Sequence, residues 1–129
     1  MGLQYEEHFT IPFAMTDVKQ EVIISQFISY CLGLSGRQSE NIGRSDLDIF
    51  EQYGLIWVVT DYELSIFRLP TYNETIRIVT EAVSYNKLFC YRKFYVYDEA
   101  GNLLMDILSY FVLIDFQDRK VVPVQHDLI

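Results

Sequence analysis

The stretch "DVKQEVIISQFISYCLGLSG", Asp17 to Gly36, decides the fold, because it carries the one long helical pattern in a chain otherwise written in strands. Asp17 with Gln20 three residues on has the form of a capping box, which predicts a helix starting near Asp17. Ile23, Phe27, Ile28, Cys31 and Leu34 recur at helical spacing, while Lys19, Gln26 and Ser29 fall away from that stripe. Ile24, Tyr30 and Leu32 widen the apolar face beyond that of a usual surface helix, so the helix is expected to be enclosed on more than one side. Gly33 and Gly36 would each cost about 1 kcal/mol relative to Ala inside a helix. They mark either a close backbone approach or the helix end.

Beyond the helix, "RQSENIGRSDLDIFEQYG" is polar and holds a short helical turn at Asp46 to Tyr53. From Leu55 the period changes to two. In "LIWVVTDYELSIFR" the alternation sets Ile56, Val58, Tyr62, Leu64 and Ile66 against Asp61, Glu63 and Ser65, a long strand interrupted at Pro70. "ETIRIVTEAVS", "LFCYRKFYVYD" and "NLLMDILSYFVLID" follow with hairpin-length connections, "VVPV" is a possible last edge strand, and "YEEHFTIPF" is a short first strand ending at Pro12. Sequential antiparallel pairing is the economical topology. A sheet that long must cover an apolar face, and the long helix is the element available, so the sheet is expected to curl around it.

Composition agrees. The chain has 129 residues, half of them apolar, 22% charged, with only 6 Gly and 3 Pro, which suits one ordered domain with a core needing no disulfide or structural metal. Its 10 Tyr, 9 Phe and 1 Trp gather in the strand-like segments. A net charge of -8 argues against nucleic acid, whose affinity rests on cations neutralising phosphates. No run of apolar residues is long enough to span a membrane, the N-terminus lacks a basic n-region and an apolar h-region, and position 6 is Glu6 where a myristoylation signal has Ser or Thr. Cys31 and Cys90 stand apart, as free thiols of a cytoplasmic protein would.

A strand, a buried helix and a wrapping antiparallel sheet describe the hotdog fold, of class α+β. The phrases "FTIPFAMTDV", "YGLIWVVTDYELSIFRLPTYNETIRIVTEA", "SYNKLFCYRKFYVYDEAGNLL" and "FVLIDFQDRKVVPV" together resemble the N-terminal half of bacterial acyl-acyl carrier protein (acyl-ACP) thioesterases. The resemblance implies a fatty acyl thioester hydrolase built from two tandem hotdogs, with residues 1–129 as the first. It implies an acyl-ACP substrate, a second hotdog or a homodimer as partner, and no cofactor or metal.

Thioester hydrolysis needs a general base or nucleophile, and donors aimed at the developing oxyanion. The loop entering the helix of related hotdogs commonly reads Asp-x-Asn-x-His. Here Asp17 keeps the first position, while Lys19 and Glu21 replace the Asn and the His. By resemblance the catalytic Asn and His belong to the second hotdog. Asp17 as an N-cap and Glu21 as a first-turn acid are the structural expectations, and both remain candidates for activating water. Cys31 and Cys90, with no adjacent His, are expected to be core thiols, and His8 and His126, near the two termini, are too lone for a metal site.

Ile24, Phe27, Ile28, Cys31 and Trp57 are the residues expected nearest a fatty chain, or else ordinary core. Because the carrier protein is acidic, a local basic patch would have to offset the net charge. Arg68, Arg77, Lys87, Arg92, Lys93, Arg119 and Lys120 could form one if several share a face. Three readings of the function remain open. This half shapes the acyl pocket of a thioesterase, binds acyl groups without hydrolysing them, or forms an active homodimer using Asp17 and Glu21.

Overall fold

The computed structural model describes residues 3–41 and 45–124. Among them the alternating segments become β1 (Gln4–Thr10), β2 (Leu55–Ile66), β3 (Thr75–Tyr85), β4 (Cys90–Tyr97), β5 (Leu103–Asp115) and β6 (Lys120–Val122). The helical segments become α1 (Ile24–Asn41) and α2 (Asp46–Tyr53). The strands make one antiparallel sheet in the spatial order β1-β3-β4-β5-β2, and β6 lies on β5 beyond the point where β4 begins.

The pairs β3–β4 and β4–β5 are the sequential neighbours expected, but strict sequential pairing does not hold. The strand β2 pairs with β5 instead of its successor, and β1 pairs with β3. The cause lies in the link from Phe67 to Glu74, which is too long for a tight hairpin. Its first residues are held against β5, both Phe67 and Arg68 donating to the Leu104 carbonyl at 2.9 and 3.3 Å. It then crosses the entry to α1, where Val22 donates to Pro70 and Tyr72 donates to Gln20, and so delivers β3 beside β1.

Register sorts the side chains. Ile76 and Ile78 of β3, Phe94 and Val96 of β4, and Met105 and Ile107 of β5 form one core with Phe27, Cys31 and Leu34 of α1. Burying each such side chain fully is worth about 1.5–3 kcal/mol, which makes this contact the main support of the helix. Ser25, Gln26, Ser29 and Gly33 stay exposed, while Ile24, Ile28 and Leu32 are half-buried flanks. The sheet therefore covers one face of α1 rather than enclosing it. A second, smaller cluster joins Ile49 of α2 to Leu55, Leu113, Trp57 and Val122.

A bulge at Thr60 changes the reading of β2. Val59 pairs with Phe111 and Asp61 with the next residue, Tyr110, so Thr60 is extra. Ile56 and Val58 consequently share a face with Asp61, Glu63 and Ser65, whereas Tyr62 packs against the core of α1. The unbroken alternation expected from the sequence is thus two alternations out of phase.

The helix also starts later than the capping pattern predicts. Gln20 has φ 61°, a left-handed conformation that no helix can pass through, and Glu21 and Val22 form bridges to Thr71 and Thr16. The β-branched run Val22-Ile23-Ile24 favours this extended approach, and α1 begins only at Ile24. Neither Gly33 nor Gly36 ends the helix. A Cβ on Gly36 would meet nothing within 4 Å, and one on Gly33 would meet only the flexible tip of Arg37 at 3.4 Å.

Candidate functional site

Two loops meet at the entry to α1. The first runs from Ile11 to Ile23 and the second from Phe67 to Glu74. Ile11 donates to Glu74 and Asn73 donates back to Ile11, both at 2.9 Å, which closes the pair of loops into one unit. Arg68 clamps Glu74 with Nη1 to Oε1 at 2.9 Å and Nη2 to Oε2 at 2.6 Å, and Glu74 Oε1 also accepts the Thr71 amide at 3.0 Å. Those contacts hold the Glu74 carboxyl below its ordinary pKa, the Arg68 hydrogen bond first among them.

Asp17 sits in this unit as a turn cap, not a helix cap. Its Oδ1 accepts the amides of Lys19 at 2.8 Å and Glu21 at 3.2 Å, and its backbone amide and carbonyl pair with Glu21 and Gln20 at 2.9 Å. Glu21 lies outside the first turn of α1, so the expected interaction with the helix dipole does not arise. The turn carries Val18 fully exposed at its tip, and Phe13 and Tyr72, one from each loop, meet edge to face with ring centroids 5.8 Å apart.

The residues expected near an acyl chain divide between two places. Phe27 and Cys31 are fully buried in the core of α1, and Ile24 and Ile28 lie half-buried on its flank, while Trp57 belongs to the smaller cluster with Ile49 and Leu55. Burial pushes the Cys31 thiol up to about 12 and raises Cys90 as well, so both stay protonated and poorly nucleophilic at neutral pH. His8 is exposed on β1, and His126 lies outside the described residues. Among the described residues no group of three or more His, Cys, Asp or Glu side chains could hold a metal ion, and no helix is long and apolar enough to cross a membrane.

The seven basic residues do not all share a face, since register sets Arg77 and Lys93 on the outer side of the sheet and Arg92 on the inner one. Arg77 pairs with Glu6 at 3.0 Å and lies over Tyr97, while Lys93 pairs with Asp106 at 3.4 Å and lies near Tyr95. Arg68 is bound to Glu74, and Arg119 is folded back on Phe116, donating Nε to its carbonyl at 2.9 Å. Arg92 alternates with Phe94 and Val96 and so points inward, where Nη1 reaches Gln38 at 2.7 Å and Thr80 at 3.1 Å.

Sequence reasoning missed two polar clusters under α1. Glu7 collects Arg37, Tyr5 and Tyr30, and Arg92 collects Gln38 and Thr80. For the second the signal was present. Arg92 falls in step with the core residues of its own strand, and Gln38 falls one turn beyond Leu34 on the buried stripe.

The sequence profile described as the acyl-ACP thioesterase N-terminal domain matches residues 2–129. No curated protein sequence matches the chain. Among solved structures, a protein described as an oleoyl thioesterase from Lactobacillus plantarum superposes with a TM-score of 0.92 at 28% identity, over 98% of this chain and 49% of that one. An acyl-ACP thioesterase from Bacteroides thetaiotaomicron gives 0.86 at 19% identity, over 96% and 50%. The 12:0-ACP thioesterase from Umbellularia californica gives 0.84 at 18%, over 99% and 52%. The last two show the shared hotdog fold. The chain spans about half the length of these three proteins.

Proposed function

The chain belongs to the acyl-ACP thioesterase N-terminal domain family, and on that premise we propose that it is the first hotdog of a fatty acyl-ACP thioesterase, acting with a second hotdog that carries the chemistry. The observation behind this reading is the family match over residues 2–129 in a chain that covers only about half of each of its structural relatives. The local chemistry supports it. One carboxylate oxygen of Asp17 is occupied by two backbone amides, the position of the His is taken by Glu21, and both thiols are buried. None of these groups is arranged as a nucleophile beside a base.

In this reading residues 1–129 form a single domain whose role is to shape the acyl pocket. Ile24 and Ile28 contact the fatty chain from the helix flank, with Phe27 and Cys31 in the core behind them and Trp57 at the separate cluster with Ile49. The partner that presents the thioester is acyl carrier protein. The protein works in the cytoplasm, where two free cysteines remain reduced.

The experiment is hydrolysis of acyl-ACP thioesters by the 129-residue chain with and without a second hotdog from a related thioesterase. Turnover that requires the second hotdog is the expected result. Turnover by the first half alone would assign the chemistry to this chain, and no turnover in either case would remove the thioesterase reading.

A further inference from the structure

The guanidinium of Arg92 points into the domain and meets no charged partner among the described residues. Both hydrogens of Nη1 are used, one on Gln38 Oε1 at 2.7 Å and one on Thr80 Oγ1 at 3.1 Å, and both acceptors are neutral. Gln38 is 7% exposed and Thr80 is fully buried, so this end of the side chain is fixed well inside the protein. No described carboxylate forms an ion pair with it. Burial accordingly lowers its pKa, against weaker opposing effects of Cys90 and Glu81.

The other two arginines near α1 and its entry show what such a group ordinarily binds here. Arg37 turns its Nε and Nη2 edge onto both oxygens of Glu7, at 2.7 and 2.9 Å, and Arg68 grips both oxygens of Glu74. In Arg92 the same Nε and Nη2 edge donates to no described residue. A planar pair of parallel N–H groups matches a carboxylate or a phosphate, and is worth more in a desolvated setting.

Register identifies the surroundings. Arg92 faces Ser109 across the ladder, with Phe94 opposite Ile107 on one side and Cys90 opposite Phe111 on the other. The Ser109 hydroxyl is already committed to the Arg92 carbonyl at 2.8 Å. A phosphate would bring more oxygens than these neighbours could satisfy, whereas a carboxylate uses only the fork and leaves an apolar tail to apolar walls. We propose that Arg92 binds the carboxylate of an amphiphile with a hydrocarbon tail, between the C-terminal half of α1 and β4. A fatty carboxylate is also the product of the reaction proposed above. The choice of tail rests on that reading; the carboxylate fork does not.

Calorimetric titration of the 129-residue chain with dodecanoate, dodecanol and acetate, each below its aggregation threshold, tests this. Dodecanoate is expected to bind at least about tenfold more tightly than either of the others, a difference set by the paired charge and tail together. Arg92→Met is expected to bind acid and alcohol alike. Arg92→Lys keeps the charge but lacks the planar fork, and is expected to lose most of the preference while still unfolding cooperatively. No binding of dodecanoate, equal binding of acid and alcohol by the unaltered chain, a preference that survives both substitutions, or acetate binding as well as dodecanoate would each overturn the proposal. The titration involves no turnover, so its outcome is separate from that of the hydrolysis assay.

Discussion

Arg37 holds Glu7 through Nε to Oε2 at 2.7 Å and Nη2 to Oε1 at 2.9 Å, joining the helix to the edge strand β1. Tyr5 donates its hydroxyl to Oε2 at 2.7 Å, Tyr30 donates more weakly to Oε1 at 3.4 Å, and the Tyr30 ring stacks on Phe9 at 3.8 Å between centroids. Since β1 has only β3 as a strand neighbour, this cluster is its second attachment to the domain.

The attachment weakens in acid. The Arg37 hydrogen bond, ahead of a smaller opposing burial effect, lowers the Glu7 pKa from its ordinary value of 4.5. A carboxyl lowered on folding adds stability that is fully present above the unfolded pKa and is lost as pH falls through the folded one. With Arg37 40% exposed, solvent screening trims the pair to about 1 kcal/mol. Melting temperatures measured from pH 7 to pH 3 should fall faster for the unaltered chain than for Glu7→Gln, the two curves converging below pH 4.5. Parallel curves would show that Glu7 contributes nothing linked to protons.

Gly36 weakens α1 without any contact that requires it. It lies inside the helix, and a Cβ there would meet nothing within 4 Å. Gly36→Ala should therefore raise stability by about 1 kcal/mol in urea unfolding. Unchanged or lower stability would show that glycine at this position does not limit the helix.

The fold was legible because its signals were long and repeated. The stripe of Phe27, Cys31 and Leu34 and the alternations of β3, β4 and β5 each extend over many residues, so one exception cannot hide them. The misreadings each turned on a single residue or one long link. Gln20 takes a left-handed conformation that its identity does not announce, and Thr60 inserts a bulge into an otherwise regular pattern. Strand order depended on where the Phe67–Glu74 link is anchored, which is set by contacts with Leu104 and Gln20 rather than by its own residues. Asp17 was recognised as a capping residue, but the element it caps is decided by that neighbouring conformation at Gln20.

The bulge absorbs one residue without shifting the ladder. Deleting Thr60 leaves Val59 opposite Phe111 and Asp61 opposite Tyr110, so both alternations keep their faces and Leu55 and Trp57 stay against Ile49 and Leu113. The deletion should cost no more than about 1 kcal/mol. Thr60→Ala, which removes only a long hydrogen bond to the Tyr110 carbonyl at 3.4 Å, should stay within about 0.5 kcal/mol. Urea denaturation of the two variants checks this, and a loss of several kcal/mol on deletion would show that the extra residue is required.

Asp17 separates a structural carboxylate from a catalytic one. Its Oδ1 accepts the amides of Lys19 and Glu21, a task that the amide oxygen of Asn performs equally well and the methyl of Ala does not. Asp17→Asn should keep the stability of the unaltered chain within about 0.5 kcal/mol, while Asp17→Ala should lose about 1 kcal/mol, the usual cost of deleting a side-chain cap. In a complete two-hotdog assembly, Asp17→Asn combined with Glu21→Gln should leave hydrolysis within about twofold, since neither carboxylate is then part of the bond-breaking step. A loss of about a hundredfold with an unchanged melting temperature would instead make the charge itself essential, and would move the chemistry into this half.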